Sequence, residues 1–334
     1  MSVVAFCLLA GMLSVYVILD GYDLGASAIS PLLAKTREER DAIVASIGPF
    51  WSGNEVWLVA AGGTLFALFP RAYAISFSGF YLPFIIVLWL LMVRGIALEV
   101  REHLAAPMWT DFWDVALSLS SVLLILLFGV ALGNLIRGIP LSADGYFQGT
   151  FSSLLNPYST AVGLLAVAAL IQHGLAYVAD NAAEKLAGRA LQYIGRVWWF
   201  VLAAYLAVTA LTIAERPEVV STTWIDVGAS AIGFTGLVCV GRFASSRRRT
   251  GTLGASAVFL LGLLVAASST MYPFLIRPYH SAAGGLTISA AAPPSGTLAI
   301  ALAVAISGLS VVTVYTILLR RAMSSRRTTS RAEG

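Results

Sequence analysis

The chain has 334 residues, of which 58% are hydrophobic and only 11% charged, with a mean hydropathy of +0.84. An ordinary soluble domain carries roughly 25% charged residues, so a soluble globule of this length could not clothe its surface, and lipid must be the solvent for most of the chain. The net charge of +4 does not point to nucleic acid, because the basic residues sit in short clusters between apolar runs, where they act as topology determinants.

A bilayer core takes roughly 20 apolar residues per helix. Candidate spans fall near residues 3–30, 46–69, 72–94, 114–136, 159–180, 193–214, 224–242, 253–276 and 297–320. The expected class is therefore all-α: a polytopic membrane protein with about nine transmembrane helices. Nothing basic precedes the first apolar run, from Val3 to Leu19, and Asp20 stands where a cleavage site would need a small residue. The first segment is thus expected to stay as a helix rather than leave as a signal peptide.

The first three spans carry the informative residues. Asp20 and Asp23 lie three apart, on one face near the inner end of the first helix. The second span opens with Trp51-Ser52-Gly53-Asn54-Glu55, and Arg94 and Glu99 close the third. Four acids and one base from successive helices are thus expected at similar depth. Ionisable groups inside a membrane are costly and suggest function. Two readings stand for Asp20, Asp23 and Glu55: a cluster that carries protons, or carboxylates hydrated at the headgroups. For Glu99 the hydrated reading is preferred, and Arg94 could snorkel. Trp51 and Trp57 belong either to an interfacial aromatic belt or to packing against the acids. Gly21, Gly25, Gly53, Gly62 and Gly63 could let helices approach closely.

Later spans offer less. His173, in the fifth, is expected to be a hydrogen-bonded interior residue rather than a haem ligand. His103 and His280 fall in loops, and Cys7 and Cys239 are far apart in apolar runs. No metal spacing, phosphate loop or nucleophile elbow is present, so no metal site is expected and the chain alone holds no complete catalytic centre. The outer loop Arg277–Thr297, with His280, Gly284, Gly285, Pro293 and Pro294, reads as an ordered cap. Residues 1–322 are expected to form one transmembrane unit, and 323–334 a basic, disordered cytoplasmic tail.

The loops alternate in basic content. One set holds Lys35, Arg37 and Arg40; Arg101; Lys185, Arg189 and Arg196; Arg242, Arg247, Arg248 and Arg249; and the tail Arg320, Arg321, Arg326, Arg327 and Arg331. The other set holds only Arg71, Arg137, Arg216 and Arg277. The positive-inside rule then puts the N-terminus outside and the C-terminus in the cytoplasm, which requires an odd number of spans.

Several motifs appear in a distinctive order. They are Asp20-Gly21-Tyr22-Asp23-Leu24-Gly25, Thr36-Arg37-Glu38-Glu39-Arg40, Ile47-Gly48-Pro49-Phe50-Trp51-Ser52-Gly53-Asn54-Glu55-Val56-Trp57-Leu58, Ala61-Gly62-Gly63 and Phe77-Ser78-Gly79-Phe80-Tyr81. Gly133-Asn134-Leu135, Gly138-Ile139-Pro140, Leu155-Asn156-Pro157 and Met271-Tyr272-Pro273-Phe274 follow. In this order the chain resembles, end to end, the second subunit of bacterial cytochrome bd quinol oxidases. The resemblance implies two four-helix bundles plus a peripheral helix, in the bacterial cytoplasmic membrane. It implies a heterodimer whose larger subunit I ligates the b and d haems and binds quinol, while this subunit ligates none. It also leaves room for a small accessory subunit and a structural quinone. The implied role here is to stabilise the haem subunit and contribute a cytoplasmic proton path through Asp20, Asp23, Asn54 and Glu55, with Arg94 and Glu99 as charge partners and Trp51 and Trp57 packing at the haem or quinone region. Ser52 is a departure, because some members carry an aspartate there; Glu55, three residues on, is the candidate replacement. A purely structural scaffold and an ion-coupled transporter are the alternatives.

Overall fold

The computed structural model describes residues 1–104, 106–142, 146–217, 224–279 and 285–332, with side chains described to residue 318. Its helices are α1 (Ser2–Leu33), α2 (Arg37–Ile47), α3 (Trp51–Leu68), α4 (Pro70–Gly79), α5 (Tyr81–Val100), α6 (Pro107–Arg137), α7 (Phe151–Leu154), α8 (Pro157–Asn181), α9 (Glu184–Glu215), α10 (Trp224–Ser245), α11 (Arg249–Met271), α12 (Ile288–Ala291) and α13 (Ser295–Ala332). One small hairpin, β1 (Phe274–Ile276) with β2 (Leu286–Thr287), is antiparallel.

Among the described residues, eight helices are long and apolar enough to cross a membrane: α1, α5, α6, α8, α9, α10, α11 and α13. Together they make an all-α polytopic membrane protein. The ninth expected span is α3, which packs beside α1 and α13. It is only 18 residues long and carries Asn54 and Glu55, which dilute its apolar character. The third expected span, near 72–94, is corrected. Pro70 starts a separate helix, α4, which ends at Gly79, and the long apolar helix runs from Tyr81 to Val100.

The helices group as the resemblance implies. α1, α3, α5 and α6 pack as one set, α8 to α11 as another, and α13 lies outside against α3. The two sets meet where α8 crosses α1 and α6. Gly25 and Gly174 make the first crossing: a Cβ on Gly25 would stand 1.8 Å from the Leu170 carbonyl oxygen, and one on Gly174 2.1 Å from the Ala26 nitrogen. Gly129 and Gly133 do the same for α6 against Gly163 and Ser159. Gly62 and Gly63, by contrast, face open space, so close approach within this chain is not their role.

Ion pairs tie the basic loops together at one end of the molecule. Arg189 bonds Glu39 at 2.7 Å, Arg101 bonds Asp41 at 2.6 Å, Arg40 bonds Asp111 at 3.1 Å, and Arg249 pairs with Glu184. α2 lies across this basic end, burying Ile43, Val44 and Ile47. At the opposite end Arg216 donates to the carbonyls of Ile136 and Thr270, and Arg137 pairs with Glu215. The hairpin and α12 form the described part of the expected cap there; His280 and Gly284 lie outside the described residues. The side chains of the expected tail, 323–334, also lie outside them.

Candidate functional site

α1 is 32 residues long, so at 1.5 Å per residue it runs about 48 Å, well beyond a bilayer core of about 30 Å. Asp20 and Asp23 sit 13 and 10 residues before its end at Leu33, deeper than the headgroup layer that the sequence suggested. Both are completely buried, and so is Arg94. The hydrated reading of these two acids therefore does not hold.

Arg94 is the hub. Its guanidinium takes Asp20 in a two-pronged grip, Nη2 to Oδ1 at 2.8 Å and Nη1 to Oδ2 at 3.3 Å. The same Nη1 reaches Glu55 Oε1 at 2.9 Å. Glu55 is the open edge of the triad, with a quarter of its side chain exposed. Asn54, the neighbouring residue on α3, turns the other way. Its amide donates to Asp23 Oδ2 at 2.7 Å, to the Tyr22 hydroxyl at 3.0 Å and to the Leu19 carbonyl at 3.2 Å. Three helices are thus locked together through Asp20, Asp23, Asn54, Glu55 and Arg94, all expected from the sequence to belong to one cluster.

Other expectations divide. Trp51 packs where Gly95, the residue after Arg94, leaves room, and against the core cluster that holds Tyr22 and Tyr177. Trp57 is buried and lines a groove of about 550 Å³ between α1, α3 and α13, with Met12, Leu19 and Leu309. Ser52 is exposed on α3, on roughly the same face as Glu55, and makes no hydrogen bond to the hub among the described residues. Glu99 does not serve as a charge partner: it is exposed and joins none of the ion pairs among the described residues. The reason is helical geometry, since a separation of five residues turns it about 140° away from Arg94.

His173 is buried, with both ring nitrogens engaged: Nδ1 with Ser256 Oγ at 2.6 Å and Nε2 with the Ile18 carbonyl at 3.0 Å. It is the hydrogen-bonded interior residue expected, and its ring offers no free nitrogen to a haem iron. His103 is exposed, and no group of three metal-capable side chains occurs among the described residues.

The sequence reading missed a second network at the basic end. Arg101, buried at the end of α5, bonds Asp114 of α6 at 2.5 Å and Asp41 of α2 at 2.6 Å. Asp114 also takes Arg40 at 3.1 Å. Asp111 and Asp114, three apart in the first turns of α6, were the signal available.

Comparison with known proteins fits this architecture. Residues 1–323 match the family described as cytochrome bd terminal oxidase subunit II. The chain is 28% identical over 330 residues to a protein of Haemophilus influenzae named "Probable cytochrome oxidase subunit 2", covering 89% of this chain and 87% of that one. It is 38% identical over 184 residues to the cytochrome bd-I ubiquinol oxidase subunit 2 of Escherichia coli K12, covering 54% of this chain and 48% of that one. Identity to the cytochrome bd ubiquinol oxidase subunit 2 of Bacillus subtilis is 35% over 207 residues, 62% of this chain and 61% of that one. Those two matches thus span about half to three fifths of the relatives' lengths. A chain in the structure of the bd oxidase from Geobacillus thermodenitrificans superposes with a TM-score of 0.79 at 20% identity, covering 96% of this chain and 98% of that chain, a likeness in fold. The helical bundles, the glycine crossings and the match along almost the whole length place this chain in the cytochrome bd terminal oxidase subunit II family, as a subunit of an oxidase complex that contains haem.

Proposed function

We propose that this chain is the haem-free second subunit of a quinol oxidase in the bacterial cytoplasmic membrane. In this reading a larger partner holds the b and d haems and oxidises quinol, and this chain supplies part of the route by which cytoplasmic protons reach the site of oxygen reduction. Family membership decides against an ion-coupled transporter. The donor set here suits a chain that ligates no haem, because His173 is fully engaged and His103 is exposed in a loop.

The observation that carries the proton path is the count of charges at the hub. Two carboxyls, Asp20 and Glu55, share the single guanidinium of Arg94, and a third buried one, Asp23, lies a turn along α1 on the amide of Asn54. A low-dielectric bundle does not hold surplus negative charge cheaply, so protons on the surplus acids balance it, and acids that hold protons can pass them on. Glu55, in place of the aspartate that Ser52 lacks, is the group that faces outward from the hub. Reduction of one dioxygen to two waters, the chemistry that haems in the partner would supply, takes up four protons. Protons drawn from the cytoplasm, with quinol protons released outside, would build a membrane potential without a pump.

The groove beside Trp57 and a second apolar cavity, of about 540 Å³, between α1, α6 and α8–α11 are both suited to a prenyl tail, so a structural quinone is part of the proposal. A small accessory subunit is compatible with the exposed flank of α13.

The test is turnover of the purified complex. Asp20→Asn, Asp23→Asn and Glu55→Gln should each slow quinol-driven oxygen consumption while the reduced haem spectrum keeps its amplitude. Wild-type rates in all three would remove the proton path. Loss of haem and of the partner instead of rate would mean that the acids serve assembly alone.

A further inference from the structure

Between the hub and the basic end, one buried polar group is left unused by the reading above. Ser27 is 1% exposed, and its hydroxyl has no hydrogen-bond partner among the described residues. A buried hydroxyl without a partner is uncommon and calls for a reason. Its position supplies one. Asp20, Asp23 and Ser27 are spaced i, i+3, i+7, so they form one stripe along α1, and Ser27 is the member nearest the basic end.

The neighbouring helices fix the level of Ser27. α1 and α5 run in the same direction in the membrane. Asp20 pairs with Arg94, and Ser27 and Arg101 each lie seven residues further on, about 10.5 Å at 1.5 Å per residue. Ser27 therefore stands at about the level of Arg101. α6 also packs against α1. Ser118 Oγ donates to the Ala28 carbonyl at 2.8 Å, directly beside Ser27. Asp114, one turn nearer the basic end on α6, is 8% exposed and holds Arg101. Arg101 in turn reaches Asp41, nearly half of whose side chain is open to solvent. The Asp41–Arg101–Asp114–Arg40 network thus leads from surface water to a buried carboxylate on α6, one helical turn from Ser118, whose hydroxyl bonds the residue after Ser27.

We propose that Ser27 is the relay hydroxyl that joins this surface network to the membrane-embedded acids, with Asp41 and Asp114 as the entrance. The proposal rests on the proton-path reading and adds its cytoplasmic half. The step leaves no charge behind. Ser27 Oγ accepts a proton on a lone pair from a water held at Asp114 and releases its own proton to a water on the Asp23 side, and the hydroxyl then rotates back. Residues four apart on a helix have Cβ atoms about 5–6 Å apart, a gap that one internal water between two polar groups spans.

Valine and threonine share one shape and differ by the hydroxyl, so the pair Ser27→Val and Ser27→Thr separates relay from packing. The two-subunit oxidase, purified with its haems and reconstituted in proteoliposomes, is measured for quinol-driven oxygen consumption beside Asp20→Asn. Ser27→Val should turn over at least about tenfold more slowly than Ser27→Thr, the size of effect expected when a proton donor is lost. Haem spectra and Tm should match between the two, and the solvent isotope effect should be larger in Ser27→Val. Equal rates for the two variants, with Asp20→Asn slow, would overturn the relay and leave the proton path standing. Equal rates with Asp20→Asn also at full speed would remove both. If neither variant assembles, Ser27→Ala against wild type gives the same decision.

Discussion

At the scale of residues, the two charged networks of this chain differ in what surrounds them. Arg94 and Asp20 are sealed in the bundle, where breaking a pair by removing one partner costs about 3–5 kcal/mol because the other charge is left bare. Arg94 is therefore a folding residue as much as a functional one, whereas Asp20→Asn keeps an oxygen for the guanidinium and isolates the proton chemistry. Glu39, on the surface helix α2, is of the other kind. Hydrogen bonds from the Arg189 guanidinium and the Lys35 backbone N–H hold its carboxyl at about 2, against about 4.3 in an unfolded chain. A depressed carboxyl stabilises the fold above its unfolded value, and that contribution fades as pH falls from about 4.3 through about 2. Solvent screens the pair, so the effect is local to α2 rather than global. Hydrogen exchange along α2 should be steady from neutral pH to about 5 and should accelerate, beyond the intrinsic pH dependence of exchange, only in that acid window. In Glu39→Gln the extra opening of α2 should already be present at neutral pH, with no further change on acidification. An acid-induced acceleration of the same size in Glu39→Gln would show that another group anchors the helix.

At the scale of elements, the α1–α8 crossing sets the geometry that the hub depends on. Gly25 meets the α8 backbone so closely that any side chain would force the helices apart, and His173 and Leu170 pack just beside it against Gly21. Gly25→Ala should therefore abolish assembly of the complex or lower its Tm sharply, while Gly62→Ala, at a position with open space, should leave Tm within a degree or two, since alanine is also the better helix former. Membrane insertion followed by haem-staining gels would read both. This contrast also shows what the sequence could and could not convey. Long apolar runs are legible because the bilayer demands them, and eight helices were found that way. The break between α4 and α5 was not legible, because Phe77-Ser78-Gly79-Phe80-Tyr81 is as apolar as a span. α2 was read as a plain loop, although Thr36 and Glu39 carry a helix-start signal; the Thr36 hydroxyl accepts the Glu39 N–H at 3.3 Å. The hub residues were legible because charges in apolar runs stand out. The hydrated reading of Glu99 fits its exposure, and the charge-partner role implied by the resemblance fails because five residues of helix turn it away from Arg94; the Arg101–Asp114 network was missed because charges near helix ends read as solvated.

At the scale of the whole molecule, the hub raises the question of what covers its open edge. Glu55 keeps a quarter of its side chain exposed at membrane depth, and Ser52 lies next to it on α3, with Val56 and Val59 on the same face. Trp89, Met92 and Ile96 of α5 add a large exposed apolar flank. A partly open carboxylate facing hydrocarbon would be costly, whereas one facing a protein surface can be hydrogen-bonded. This face should therefore be the one that the larger subunit covers, and the acids would then open toward the haems rather than toward lipid. With Cys7 and Cys239 replaced by serine, Ser52→Cys should be shielded from a membrane-permeant maleimide in the assembled complex and should form a cross-link to the partner with a short bifunctional reagent. A cysteine at exposed Phe200 of α9, on the second bundle, should be labelled freely and form no such link. Free labelling at Ser52 in an active complex would mean that Glu55 faces lipid, and a proton path leaving the hub through Glu55 would then have no protein to enter.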